Sequence, residues 1–275
     1  MKNRLDVAFA QVKARGDKAL ITYLMAGDPS LQDTKTLVLE LEQAGADVVE
    51  LGVPFSDPIA DGPVIQRASE RALRSGTSLR RVLTLVAELR TNTQIPLVLM
   101  AYYNTVHAFG LVEFWRQAVA AGVDGLIVPD MPPEESGPLC SAAEEGNGLH
   151  LIFLLAPTST PARRTAVACR STGFVYYVSL TGITGAKLTD LEDVRINVEK
   201  IRRVSDTPVA VGFGIATANE AAQVAGIADG VIIGSAIVRQ VEQYQHDPQM
   251  TEHVARFVRS VKQAMNRQQP VSDLN

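Results

Sequence analysis

Eight short, apolar, β-rich runs recur along the chain, at residues 19–26, 47–53, 96–103, 125–129, 150–156, 174–179, 208–212 and 230–233, and helix-length amphipathic segments separate most of them. Runs such as Leu20-Ile21-Thr22-Tyr23-Leu24-Met25 and Leu97-Val98-Leu99-Met100 are apolar on both faces. A strand reads that way when one side is packed inward and the other is covered by helices, as in parallel α/β sheets. Eight β/α pairs in about 250 residues fit a (β/α)8 barrel better than an open doubly wound sheet, which stays the alternative. Leu5, Phe9 and Val12 add an amphipathic helix ahead of the first strand, placed to cap the barrel floor. A short extra helix follows the eighth strand. The expected organisation is one barrel over residues 1–267 and a polar, frayed tail over 268–275.

A weak internal repeat supports this reading. Ala44-Gly45-Ala46-Asp47, Ala121-Gly122-Val123-Asp124 and Gly226-Ile227-Ala228-Asp229 each precede a strand. The glycines suit helix C-caps in the left-handed conformation. Three connections, 55–63, 180–193 and 235–249, exceed the usual two to six residues. In a barrel all three follow strand C-termini, the face that carries active sites.

The second run sets a carboxylate in an apolar strand. Alternation puts Val48, Glu50 and Gly52 on one face and the branched Val49, Leu51 and Val53 against the helices, so Glu50 points into the barrel. A structural role there needs a buried cation, yet none of the eight runs contains Lys or Arg. An unpaired buried carboxyl holds its proton to higher pH, which suits general acid–base chemistry near neutrality. Asp61, ahead of Gly62-Pro63, fits either an N-cap or a second catalytic carboxylate.

Gly212-Phe213-Gly214 closes the seventh strand, Gly234-Ser235 closes the eighth, and Gly182-Ile183-Thr184-Gly185 lies on the same face. Glycines at strand ends, followed by a helix N-terminus, let backbone N–H groups approach a phosphate. Tyr102, Tyr103, Tyr176, Tyr177 and Phe213 fall near strand C-termini as candidate pocket walls, with core packing the plainer reading for each; Trp115 reads as core filler.

A net charge of −4 leaves no basic stripe for nucleic acid. The histidines (His107, His150, His246, His253) lack metal-ligand spacing, and with no strand lysine a Schiff-base aldolase is disfavoured. Cys140 and Cys169 suggest neither a disulfide framework nor a zinc site. No signal core or membrane span is legible, so a cytoplasmic setting is expected. Proton transfer by carboxylates on a phosphorylated substrate is what remains.

The run ELGVPFSDPIADGP (50–63), with residues 182–186, Gly212-Phe213-Gly214-Ile215 and Gly234-Ser235-Ala236-Ile237-Val238, resembles the tryptophan synthase alpha subunit family nearly end to end. The resemblance implies cofactor-free retro-aldol cleavage of indole-3-glycerol phosphate. It makes Glu50 the acid–base group and Asp61 the acceptor of the indole N–H, with Tyr176 a supporting hydroxyl. Thr184 would orient Asp61, while Gly185, Phe213, Gly214, Gly234 and Ser235 line the phosphate and glycerol end and Tyr103 the substrate pocket. It also implies a pyridoxal-phosphate beta subunit in an alpha2beta2 complex, met near Asp57 and Asn104. Two positions depart from many members: Thr105 stands where Pro is common, and Leu180 where a basic residue is. A stand-alone lyase, a non-catalytic regulatory subunit and another phosphate-binding barrel isomerase are the alternatives.

Overall fold

The first helix forms where its caps and spacing say it should. In the computed structural model, which describes residues 2–146, 148–179, 191–212 and 214–267, α1 spans Arg4–Ala14 and its N-cap Asn3 accepts from the Leu5 N–H at 2.8 Å. The Asn3 side chain also donates to the carbonyls of Asp124 and Gly148. Leu5, Phe9 and Val12 face one way and pack among Ile21, Val48, Val98, Ile127, Phe174 and Ile232, plugging the barrel from below.

The strands are β1 (Ala19–Met25), β2 (Val48–Gly52), β3 (Leu97–Met100), β4 (Gly125–Ile127), β5 (His150–Ile152), β6 (Leu154–Leu155), β7 (Val175–Val178), β8 (Val209–Gly212) and β9 (Gly230–Ile233). All pairings are parallel, in the order β5-β4-β3-β2-β1-β9-β8-β7-β6. The fifth run is therefore two short pieces split at Phe153: the lower pairs with β4 and the upper with β7. The expected eight-stranded (β/α)8 barrel is obtained with that one interruption. Helices α2 (Leu31–Gln43), α3 (Pro63–Arg74), α4 (Leu79–Leu89), α5 (Tyr103–Phe109), α6 (Leu111–Ala121), α7 (Gly137–Gly146), α8 (Pro161–Arg170), α9 (Leu191–Arg202), α10 (Ala218–Ala225), α11 (Ser235–Tyr244) and α12 (Met250–Arg267) follow the strands. The extra helix after the last strand is α11. Outward residues Leu20, Leu24, Val49, Leu51, Leu97 and Leu99 join the helices in the larger core, which also swallows Trp115. The tail 268–275 lies outside the described residues.

The repeated glycine–aspartate motif does more than end helices. Gly45 and Gly122 take positive φ (103° and 89°) as expected, whereas Gly226, the C-cap of α10, stays right-handed at −67°. The three aspartates act alike. Asp47 accepts from the Leu20 N–H at 2.8 Å, Asp124 from Leu97 at 2.8 Å and Asp229 from Val209 at 2.9 Å. Each satisfies an N–H at the start of a neighbouring strand and recruits cations from surrounding helices. Asp124, the most buried at 2% exposure, holds Arg90 at 2.7 Å and Arg4 of α1 at 3.1 Å. Asp124→Ala leaves the largely buried Arg90 guanidinium without its counter-charge, though it keeps the Gly122 and Ile95 carbonyls, and strips the buried Leu97 N–H of its acceptor, so a loss of roughly 3 kcal/mol is expected in urea unfolding; a loss below about 1 kcal/mol would make this knot decorative.

Candidate active site

Glu50 sits in the middle of β2, 1% exposed, beside Tyr23 of β1 and Val98 of β3 in register. Both of its carboxyl oxygens lack a hydrogen-bond partner among the described residues. Burial first, and the charge of Asp61 second, push its pKa up to about 8. The strand runs hold no cation to answer it, so the carboxyl is kept as an acid that faces a cavity of about 310 Å³ at the C-terminal mouth of the barrel.

Asp61 lines the same cavity. It ends a loop whose shape is fixed locally: its N–H donates to the Pro58 carbonyl at 3.0 Å, and the Ala60 N–H donates to the Tyr102 hydroxyl at 2.9 Å. Ser69 of α3 brackets Phe55 by accepting from its N–H and donating to its carbonyl, each at 2.9 Å, and the Phe55 ring stacks on Tyr102. The N-cap of α3 is Gly62, with no side-chain capping bond, so Asp61 is not serving as the cap. Burial raises its pKa to about 6, and the Tyr102 hydroxyl opposes that rise. Asp61 thus ionises first, and its charge helps keep the proton on Glu50.

Two tyrosines flank Glu50 by one device. Tyr23 leans from β1 across Gly52 of β2, and Tyr176 leans from β7 across Gly212 of β8. A β-carbon at position 52 would lie 2.0 Å from the Tyr23 hydroxyl, and one at 212 would lie 2.7 Å from that of Tyr176. Both phenols are buried and stay protonated, their pKa driven well above 10 chiefly by burial. Ile65, Met100 and Ile232 supply apolar wall between them.

At the far end, Gly214 takes φ 76°, a left-handed turn that suits glycine, and Gly234 opens α11 at Ser235 with no side chain capping it. Arg239, one turn into α11, is the one cation among the described residues of the lining. Thr217 and Glu220 also border the cavity but are engaged locally: they form the capping box of α10, with Glu220 accepting from the Ala216 and Thr217 N–H groups at 2.8 and 3.0 Å.

The cavity therefore gathers Glu50, Asp61, Tyr176, Gly214, Gly234 and Ser235. Thr184, Gly185 and Phe213 lie outside the described residues. Tyr103 is a correction: it begins α5, donates its N–H to Asp130 at 2.8 Å, packs on His107 and is absent from the lining. The chain turns helical there, so Tyr102, one residue earlier, is the tyrosine turned toward Asp61. Sequence reasoning missed Tyr23, Tyr102 as a partner of Asp61, and Arg239. Tyr23 was findable, since it alternates with Ile21 and Met25 on the inward face. Asp57 and Asn104 are exposed beyond the mouth, and Ile59, at the tip of the Asp61 loop, is 84% exposed.

A family profile described as "Tryptophan synthase alpha chain" matches residues 9–266. The tryptophan synthase alpha chain of Citrifermentans bemidjiense is 50% identical over 263 residues, 96% of this chain and 98% of that one. That of Nitrosococcus oceani is 50% identical over 266 residues, 96% and 98% of the two chains. Among solved structures, tryptophan synthase subunit alpha from Legionella pneumophila superimposes with a TM-score of 0.89 at 37% identity, covering 97% of this chain and 100% of that one. Mycobacterium tuberculosis tryptophan synthase matches with a TM-score of 0.87 at 37% identity, covering 96% and 99%. With a barrel of this topology, the buried Glu50 and the partly buried Asp61 at its mouth and relatives that agree over nearly the whole length, the chain belongs to the tryptophan synthase alpha chain family.

Proposed function

We propose that Glu50 and Asp61 carry out, in this cavity, the reaction of a tryptophan synthase alpha chain: retro-aldol cleavage of indole-3-glycerol phosphate to indole and glyceraldehyde 3-phosphate. The observation that carries the assignment is Glu50 itself, buried, protonated near neutrality and with neither oxygen engaged by the described residues. Glu50 gives its proton to C3 of the ring, and positive charge develops at the ring nitrogen. Ionised Asp61 accepts the N–H hydrogen bond and stabilises that charge. The bond from C3 to the side chain then breaks, its electron pair returning to the ring system. The hydroxyl on the departing carbon loses its proton to the Glu50 carboxylate and becomes the aldehyde. One proton enters at carbon and one leaves from oxygen, so Glu50 ends as it began. The protonated ring is the electron sink, a role that a lysine or a metal fills in other aldolases.

Tyr176 supports Glu50 with a neutral hydroxyl. The phosphate is received by the turns at Gly214 and Gly234-Ser235, where the α11 N-terminus and Arg239 favour an anion. By family likeness Thr184, Gly185 and Phe213 complete that end and orient Asp61. Indole passes to a beta subunit bearing pyridoxal phosphate in an alpha2beta2 complex. The exposed Asp57 and Ile59 on the Asp61 loop, with Asn104 in the first turn of α5, suit a partner that senses the Asp61 loop directly. No helix of the described residues is long and apolar enough to cross a membrane.

Indole release by the purified chain, with and without a tryptophan synthase beta subunit in metal-free buffer, tests this reading. Slow release that rises tenfold or more with the partner is expected. Fast release by the chain alone would mean a free lyase, and no release in either condition would remove the assignment.

A further inference from the structure

The two ends of the cavity belong to different helices. Asp61 leads into α3 through Gly62, while the Gly234-Ser235 turn opens α11. A chain of charges outside the cavity joins these helices to the lip of β1. Arg71 of α3 sets Nε and Nη2 on the two oxygens of Asp28 at 2.7 and 2.8 Å. Its Nη1 donates to Glu242 of α11 at 2.8 Å. Arg67, one turn earlier on α3, takes both Glu242 oxygens at 2.7 and 2.8 Å. Asp28, three residues past the end of β1, is 3% exposed.

Cohesion does not account for this arrangement. Tyr23, Met25, Ile65, Ala68, Ala72 and Val238 already pack β1, α3 and α11 together through apolar contact. The largely buried Arg71–Asp28 pair adds little net stability against its desolvation and the half-exposed Arg67–Glu242 pair adds little in solvent, while the better-attested use of such pairs is to fix register. Paired guanidinium–carboxylate bonds have one good distance and one good plane, whereas apolar faces tolerate sliding. The quantity fixed by tying α3 to α11 is the separation of the Asp61 end from the Gly234-Ser235 end. Tyr23 reports the same span: its Cβ packs 3.5 Å from where a β-carbon at 234 would sit, while its hydroxyl reaches over Gly52.

We propose that Arg71 and Glu242 are positioning residues that set the distance between the carboxylate end and the phosphate end, so that a ligand anchored at both is bound as one piece. This rests on the reading above, in which a single substrate runs from Asp61 to the Gly234 turn. A joined ligand gains over its halves only when the sites stand at the span that its linker offers. Each half alone is indifferent to that span.

The test uses three probes by calorimetry: indole, glycerol 3-phosphate, and indole-3-propanol phosphate, which joins the two ends and lacks the reacting hydroxyl. Glu242→Ala removes both acceptor oxygens of the joint to α11 while leaving the Asp28–Arg71 pair intact. It is expected to weaken the joined probe five- to twentyfold, to leave each fragment within twofold of wild type, and to raise KM for the substrate in parallel. Arg71→Lys keeps the charge but cannot serve Asp28 twice and Glu242 once, and the same split is expected. Unchanged affinity for the joined probe in both variants overturns the inference, as does a parallel loss for the joined probe and its fragments, which is what loosened folding would give. If the wild type binds the joined probe no better than its tighter fragment, the single-substrate reading fails and takes this inference with it. A wild type that gains from joining, alongside variants that bind as it does, overturns the strut alone.

Discussion

Glu50→Gln is expected to lower indole release at least about a thousandfold while making the protein more stable above neutral pH. The rate loss follows from removing the proton that the site delivers to carbon, an effect at the upper end of general acid–base contributions. The stability gain follows from linkage. Folding moves the Glu50 pKa up from 4.5 to about 8, so between those values the folded chain holds a proton that the unfolded chain has released. Stability therefore falls as pH rises through that window and stays reduced above it. Glutamine keeps the shape, never ionises and escapes the penalty. The variant should match wild type near pH 4 and exceed it by an amount on the order of a few kcal/mol at pH 8 to 9. Urea unfolding across pH 4 to 9, paired with single-turnover indole release, reads both effects. More than a tenth of wild-type turnover would remove Glu50 from its role, and equal stability at all pH values would mean that the carboxyl is not strained by burial. Activity gained at the expense of stability in this way is what an acid kept dry and unpaired implies.

How much of this was legible before the structure depends on how local each feature is. Glu50 could be placed because a two-residue period settles which way a strand residue points, and because the strand runs offer no cation. Asp61 could not be separated from a cap, since that depends on whether Asp61 or Gly62 is the last non-helical residue, and boundaries are the weakest part of any pattern. A boundary ambiguity of the same kind misplaces Tyr103: the run stays apolar through 103, while β3 ends at Met100 and α5 begins at Tyr103. The break at Phe153 is hidden because 150–156 is evenly apolar on both sides of it. The glycine–aspartate repeat is visible but not its purpose, for Asp124 acts on Leu97 of a neighbouring strand. The Arg71–Glu242 contact joins residues 171 apart, and nothing in a helix period announces it.

Asp61→Asn is expected to be the second most damaging change, at about a hundredfold or more, and it changes the pH dependence in a way that no packing defect imitates. In the wild type, activity should fall below about pH 6 as Asp61 takes up a proton, and again above about pH 8 as Glu50 loses its own. An amide can still accept the indole N–H, so binding survives, but it brings no negative charge to the developing ring cation. With residue 61 neutral at every pH, the acid limb should vanish. The alkaline limb should move down, because the Asp61 charge is one of the two causes that hold the proton on Glu50. Residual indole release measured from pH 5 to 9 reads all three changes. The variant should also fold normally, since neither the Gly62 cap nor the Ser69 bracket on Phe55 involves the Asp61 side chain. A rate within threefold of wild type with both limbs in place would reduce Asp61 to a loop residue, and Glu50 would then need another partner for the charge at nitrogen.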